Sequence, residues 1–119
     1  MRIFRWRDGG RRIDHFGSRA FTHFRLAHVD GEAAASAIEL GPGGVIGRHP
    51  TAARQLLVVV EGSGEVSGAD GEFHPIAAGD AVDWERGEEH ETRSDKGLLA
   101  IVLEGTVAPA DTTRHRARP

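Results

Sequence analysis

At 119 residues the chain can bury one small core and is too short for two. It has no cysteine, which excludes disulfides and thiolate metal centres and agrees with a reducing, cytoplasmic setting. The net charge of -3 and the lack of any stretch near the ~20 apolar residues of a membrane span argue against nucleic-acid and membrane partners.

Residues 1–20 form a basic segment in which Arg2, Arg5, Arg7, Arg11, Arg12 and Arg19 interrupt every apolar run, so no signal-peptide core is present. Strand signals begin at Phe21. Along Phe21–Val29, Phe24, Leu26 and His28 share one face of an alternating strand. The segment Ala33–Leu40 has helical propensity, but Gly31 before it and Gly41-Pro42-Gly43-Gly44 after it leave room for only about two turns.

Leu56–Val60 and Leu98–Leu103 are continuous apolar runs, the mark of strands buried on both faces. One face lines a core and the other needs a cover, supplied by a second copy of the chain or by the N-terminal segment; a homodimer is the leading expectation. Glu61-Gly62-Ser63-Gly64 and Ala69-Asp70-Gly71-Glu72 read as turns on either side of a short strand, Glu65–Ser67. The result is an all-β chain of many short strands, with a barrel over residues 21–108 and a tail at 109–119.

Two glycine- and histidine-punctuated segments stand out. Gly43, His49, Thr51, Gln55 and Gly62 follow one spacing, and Gly79, Glu85, Gly87, His90 and Ser94 follow another. These segments resemble the two motifs of the cupin superfamily. In that pattern the Thr51 position carries a histidine, Gln55 a glutamate, Glu85 a proline and Ser94 an asparagine.

The resemblance implies a single-domain cupin, a small antiparallel β-barrel or double-stranded β-helix (jelly roll), with Ala33–Leu40 as a strand. It also implies a site at the barrel mouth where the family holds a metal with three histidines and one carboxylate. Carried over by position, the metal set here is His49, Gln55 and His90, and the ligand-binding set is His49, Thr51, Gln55, Trp84 and His90. Phe24 is a further candidate wall residue.

Thr51 and Gln55 are neutral and poorer donors than the residues they replace. A divalent ion here is therefore expected to be zinc, nickel or copper rather than manganese or iron, and a metal-free polar pocket is the alternative. His23, His28, His74, Asp83, Glu85, Glu88, Glu89 and Glu91 are further groups able to complete a site, each more often a surface or hydrogen-bonded residue than a ligand. The expected function is a cupin that binds a small molecule in its barrel with a weakened metal site. The alternatives are a metal-dependent enzyme of dioxygenase, isomerase or decarboxylase type, and an interaction module whose site is lost.

Overall fold

The computed structural model describes residues 1–110. Its strands are β1 (Arg2–Arg5), β2 (Arg11–Ile13), β3 (Phe21–His23), β4 (Ala27–Leu40), β5 (Gly44–Pro50), β6 (Gln55–Ser67), β7 (Phe73–Ala77), β8 (Asp80–Trp84), β9 (Glu89–Ser94) and β10 (Leu98–Pro109). A first layer runs β1-β8-β6-β10-β4, all antiparallel. The second layer contains β5, β9, the end of β6, and β7. This is the expected all-β jelly roll, with Ala33–Leu40 extended inside β4.

β6 belongs to both layers, and the reason lies in its glycines. The segment Glu61–Gly64, read from sequence as a turn, is instead a bend within one continuous strand. Gly62 has φ 84°, and a Cβ there would collide with the Gly97 carbonyl. The β6–β10 register also slips between Leu99 and Ala100. A residue without a side chain lets the strand kink without reversing. The reversal comes later at Asp70-Gly71, where Gly71 has φ 76° and its N–H bonds the Gly68 carbonyl at 3.0 Å.

The alternation along β6 explains its unbroken apolar run. Leu57 and Val59 face the interior with Val82, Trp84, Ala100, Ile38 and Val102. Leu56 and Val58 face outward into a second cluster with Phe4, Ala81, Val107, Trp6 and Leu26. The cover over that outer face is thus the chain's own N-terminal segment. β1 pairs with β8, and the Trp6 indole donates to the Val59 carbonyl at 3.0 Å.

The expected strand Phe21–Val29 is interrupted. Phe24 lies between β3 and β4 and packs edge-on against Trp6, with ring centroids 5.3 Å apart. It braces the N-terminal segment and does not line the cavity described below. Residues 111–119 of the expected tail lie outside the described residues.

Candidate functional site

Between the two layers lies a cavity of about 180 Å³. Ile38, Leu57 and Val102 from the first layer and Ile46 from the second give it apolar walls, and its polar groups are His49, Gln55, His90, Glu91 and Thr92. The strand registers bring these residues together. His49 on β5 sits directly opposite His90 on β9. Gln55 on β6 faces Trp84 on one side and Glu104 on the other.

The two imidazoles are held differently. The β5–β9 register slips between Ile46 and His49, and there the Nδ1 of His49 lies 2.7 Å from the Gly47 carbonyl. A carbonyl only accepts, so Nδ1 carries the proton and Nε2 presents a lone pair. That Nε2 lies 3.3 Å from Nε2 of His90. His90 is 4% exposed and rests against the Trp84 ring, with centroids 4.5 Å apart. Its Nδ1 is buried and has no hydrogen-bond partner among the described residues.

Burial, then the neighbouring His49, lower the pKa of His90, and Arg48 adds to the effect while Glu104 and Glu88 oppose it. The neutral imidazole is therefore the form the fold accepts. An unfolded histidine takes its proton near pH 6.5, whereas folded His90 takes it only at lower pH. The stability tied to His90 is therefore fully present above that value and is lost as the pH falls through the interval below it. Thermal unfolding is expected to show a falling melting temperature from pH 7 to pH 5 in the native chain, with a shallower slope in His90→Gln. Identical slopes would refute the linkage to His90.

Gln55 and Glu104 form the second polar pair. The Gln55 amide Nε2 donates to the Glu104 carboxylate at 2.6 Å. Sequence reasoning missed Glu104 because it follows the apolar run of β10 and belongs to neither motif. Its signal is the two-residue period Ala100, Val102, Glu104 along the face that looks inward. A carboxylate is thus present beside the position where the first motif carries glutamine, supplied by the adjacent strand.

The other sequence candidates lie elsewhere. Thr51 is buried, and its hydroxyl donates to the Glu85 carbonyl at 2.8 Å, tying β5 to the turn before β9. Trp84 is fully buried behind His90, and its indole donates to the Ser67 carbonyl at 3.1 Å. Asp83 accepts two hydrogen bonds from Arg54, at 3.0 and 2.7 Å. Glu88 accepts from the Met1 ammonium group and from the N–H groups of Ala69 and Glu85. Glu85, His23 and His28 are exposed, as is Glu89, which pairs with Arg48. Ser94 takes a structural role, donating to the Ser63 carbonyl at 2.6 Å and accepting from the Gly97 N–H at 2.8 Å. Asp70, Glu72 and His74 bring their ligand atoms within 4.8 Å of one another, but none of them lines the cavity.

The donor geometry can be tested against a metal. Two imidazole nitrogens on one tetrahedral zinc-like ion lie about 3.3 Å apart. The observed Nε2 separation of 3.3 Å matches that edge, and the Nδ1 anchor on His49 is the usual orienting contact of a metal-bound histidine. The pair fits two coordination positions of an imidazole-favouring ion. Glu104 does not join the two histidines in a three-residue group within 4.8 Å among the described residues.

Comparison with known proteins follows the same lines. A cupin-domain family model matches residues 36–104. No curated protein matches the chain by sequence. Among solved structures, an RmlC-like cupin from Shewanella frigidimarina is 24% identical over 69% of this chain and 70% of its own, with a TM-score of 0.58. A DMSP lyase from Ruegeria pomeroyi is 25% identical over 61% of this chain and 38% of its own, with a TM-score of 0.57. A predicted oxalate decarboxylase from Thermotoga maritima is 22% identical over 63% of this chain and 64% of its own, with a TM-score of 0.54. No helix among the described residues is long and apolar enough to cross a membrane.

Proposed function

The chain belongs to the cupin family, and on that premise we propose that it binds a small organic molecule between its two sheets, with the molecule's polar head at the His49–His90 pair. The observation that supports this reading is the pair of facing imidazole nitrogens at a cavity otherwise walled by Ile38, Ile46, Leu57 and Val102. A cavity of about 150 Å³ accepts benzene, so the ligand has on the order of six to ten non-hydrogen atoms.

The chemistry of the lining narrows the head group. Among the described residues no lysine or arginine lines the cavity, the Nε2 of His49 presents an acceptor toward His90 Nε2 at 3.3 Å, and Glu104 adds negative charge beside Gln55. A hydrogen-bond donor or an amine is favoured there, and a bare carboxylate is not. His49 and His90 would hold a zinc, nickel or copper ion through Nε2, and such an ion would supply positive charge and Lewis acidity for an anionic head group. With its amide nitrogen on Glu104, Gln55 would orient a bound donor through its carbonyl oxygen, while the apolar walls exclude water from the rest of the molecule.

A thermal-shift screen with small amines, phenols and carboxylates, each with and without zinc, tests this reading. Amines or phenols of the stated size are expected to raise the melting temperature by binding the folded state, and His49→Ala with His90→Ala is expected to abolish the shift. Carboxylates that act only with zinc would instead identify the ion-dependent form of the site. No response from any class would sink the binding function.

One observation favours an enzyme as the second reading. The two imidazoles meet Nε2 to Nε2 at 3.3 Å with the His49 Nδ1 anchored on the Gly47 carbonyl, so the pair can hold and pass a proton at one point of the cavity wall. The structural neighbours include proteins described as a DMSP lyase and as a predicted oxalate decarboxylase, which keeps an enzymatic role within the reading. We further propose that the chain works as a homodimer, supported by the exposure of Phe16, Phe21, Val29, Val45 and Val60.

A further inference from the structure

β2 and β3 form a two-stranded sheet of their own, hydrogen-bonded to no other strand among the described residues. The loop between them carries Phe16 at its tip, 100% exposed and at φ 61°, a left-handed conformation unusual for a large residue. Along the ribbon Arg11, Arg12 and Arg19 are exposed, with no ion pair among the described residues. A two-stranded ribbon alone is marginal in water, and a fully exposed aromatic on a basic ribbon has the composition of an interface anchor.

A second unpartnered surface lies at the other end of the first layer. β4 is 14 residues long, pairs among the described residues with β10 alone, and exposes every residue from His28 to Ala37. Such a long free edge is one that folded proteins normally cover. Its charges are Asp30, Glu32 and Glu39, and its centre is the small-residue stretch Ala33-Ala34-Ala35-Ser36-Ala37. Like charges disfavour pairing of β4 with another β4, whereas the arm carries the opposite sign.

We propose that the β2–β3 arm of one copy docks along β4 of a second copy, and reciprocally, with Phe16 on the small-residue stretch and Arg11, Arg12 and Arg19 facing Asp30 and Glu32. The exchange is self-complementary, as a two-fold dimer requires. Arm and strand together supply the roughly 20–30 residues per side of a stable interface. This assignment rests on the homodimer reading and names its surface.

Sedimentation velocity over a concentration series tests it, with circular dichroism to confirm folding. The native chain is expected to be a dimer. Arg11→Glu with Arg12→Glu, and separately Asp30→Arg with Glu32→Arg, are each expected to weaken dimerisation at least ~100-fold. Combining the four changes is expected to restore it, since the two charge reversals compensate. All positions are exposed, so the folded monomer survives the test. A native monomer would overturn both the homodimer and this surface. A native dimer insensitive to the variants, or a combination that stays monomeric, would overturn this surface alone.

Discussion

Trp84→Ala is expected to destabilise the fold by about 3–5 kcal/mol, the usual cost of emptying a large aromatic site in a packed core. Trp84 is fully buried in the interior cluster with Leu57, Val59 and Val82. The change removes the indole, leaves the buried Ser67 carbonyl without its donor, and takes away the ring against which His90 rests. Each consequence acts on the same few strands, β6, β8 and β9, so local collapse cannot refill the space without displacing His90. The fall in melting temperature should exceed about 10 °C. Trp84→Phe keeps most of the buried area and loses the hydrogen bond, and is expected to cost about half as much or less. A Trp84→Ala protein within about 1 kcal/mol of the native chain would show that the indole is not a core element.

How far the sequence revealed the fold follows from which signals are local. The continuous apolar runs Leu56–Val60 and Leu98–Leu103 are local signals, and they pointed to strands packed on both faces. What covers the outer face is a tertiary fact: β1 pairs with β8 through a contact about 80 residues away in the chain. The glycines at 62 and 64 signal a departure from regular strand, but a bend and a reversal use the same residue, so Glu61–Gly64 was read as a turn. Phe24 shows the same ambiguity, since alternation gives a face but not which core that face meets. At the site, the motif spacing placed His49 and His90, and their pairing follows from the β5–β9 register. Glu104 depended on the β6–β10 register, which no spacing within either motif encodes.

Gln55→Glu should separate the charge logic of the site from its packing. Glutamine and glutamate have nearly the same shape, so the variant alters one charge and one donor. In the native chain the Gln55 amide donates to Glu104 across directly opposite positions of β6 and β10. A carboxylate there faces a second carboxylate at hydrogen-bonding distance, and one of the two must hold a proton or recruit a cation. Without metal, the variant is expected to melt below the native protein at neutral pH and to recover as the pH falls and the pair takes up its proton. With metal the order should reverse. The added anionic donor lies on the cavity wall beside His49 and His90, and affinity for zinc is expected to rise about 10–100-fold, with manganese gaining proportionally more because it favours oxygen ligands. Competition against a chromophoric chelator gives the affinities, and melting curves with and without each ion give the linked stability. Adding Glu104→Gln to the variant should relieve the metal-free penalty while keeping part of the metal gain. Unchanged zinc affinity in Gln55→Glu would mean that position 55 does not share a ligand with the imidazole pair, and the cavity would then act through its two histidines alone.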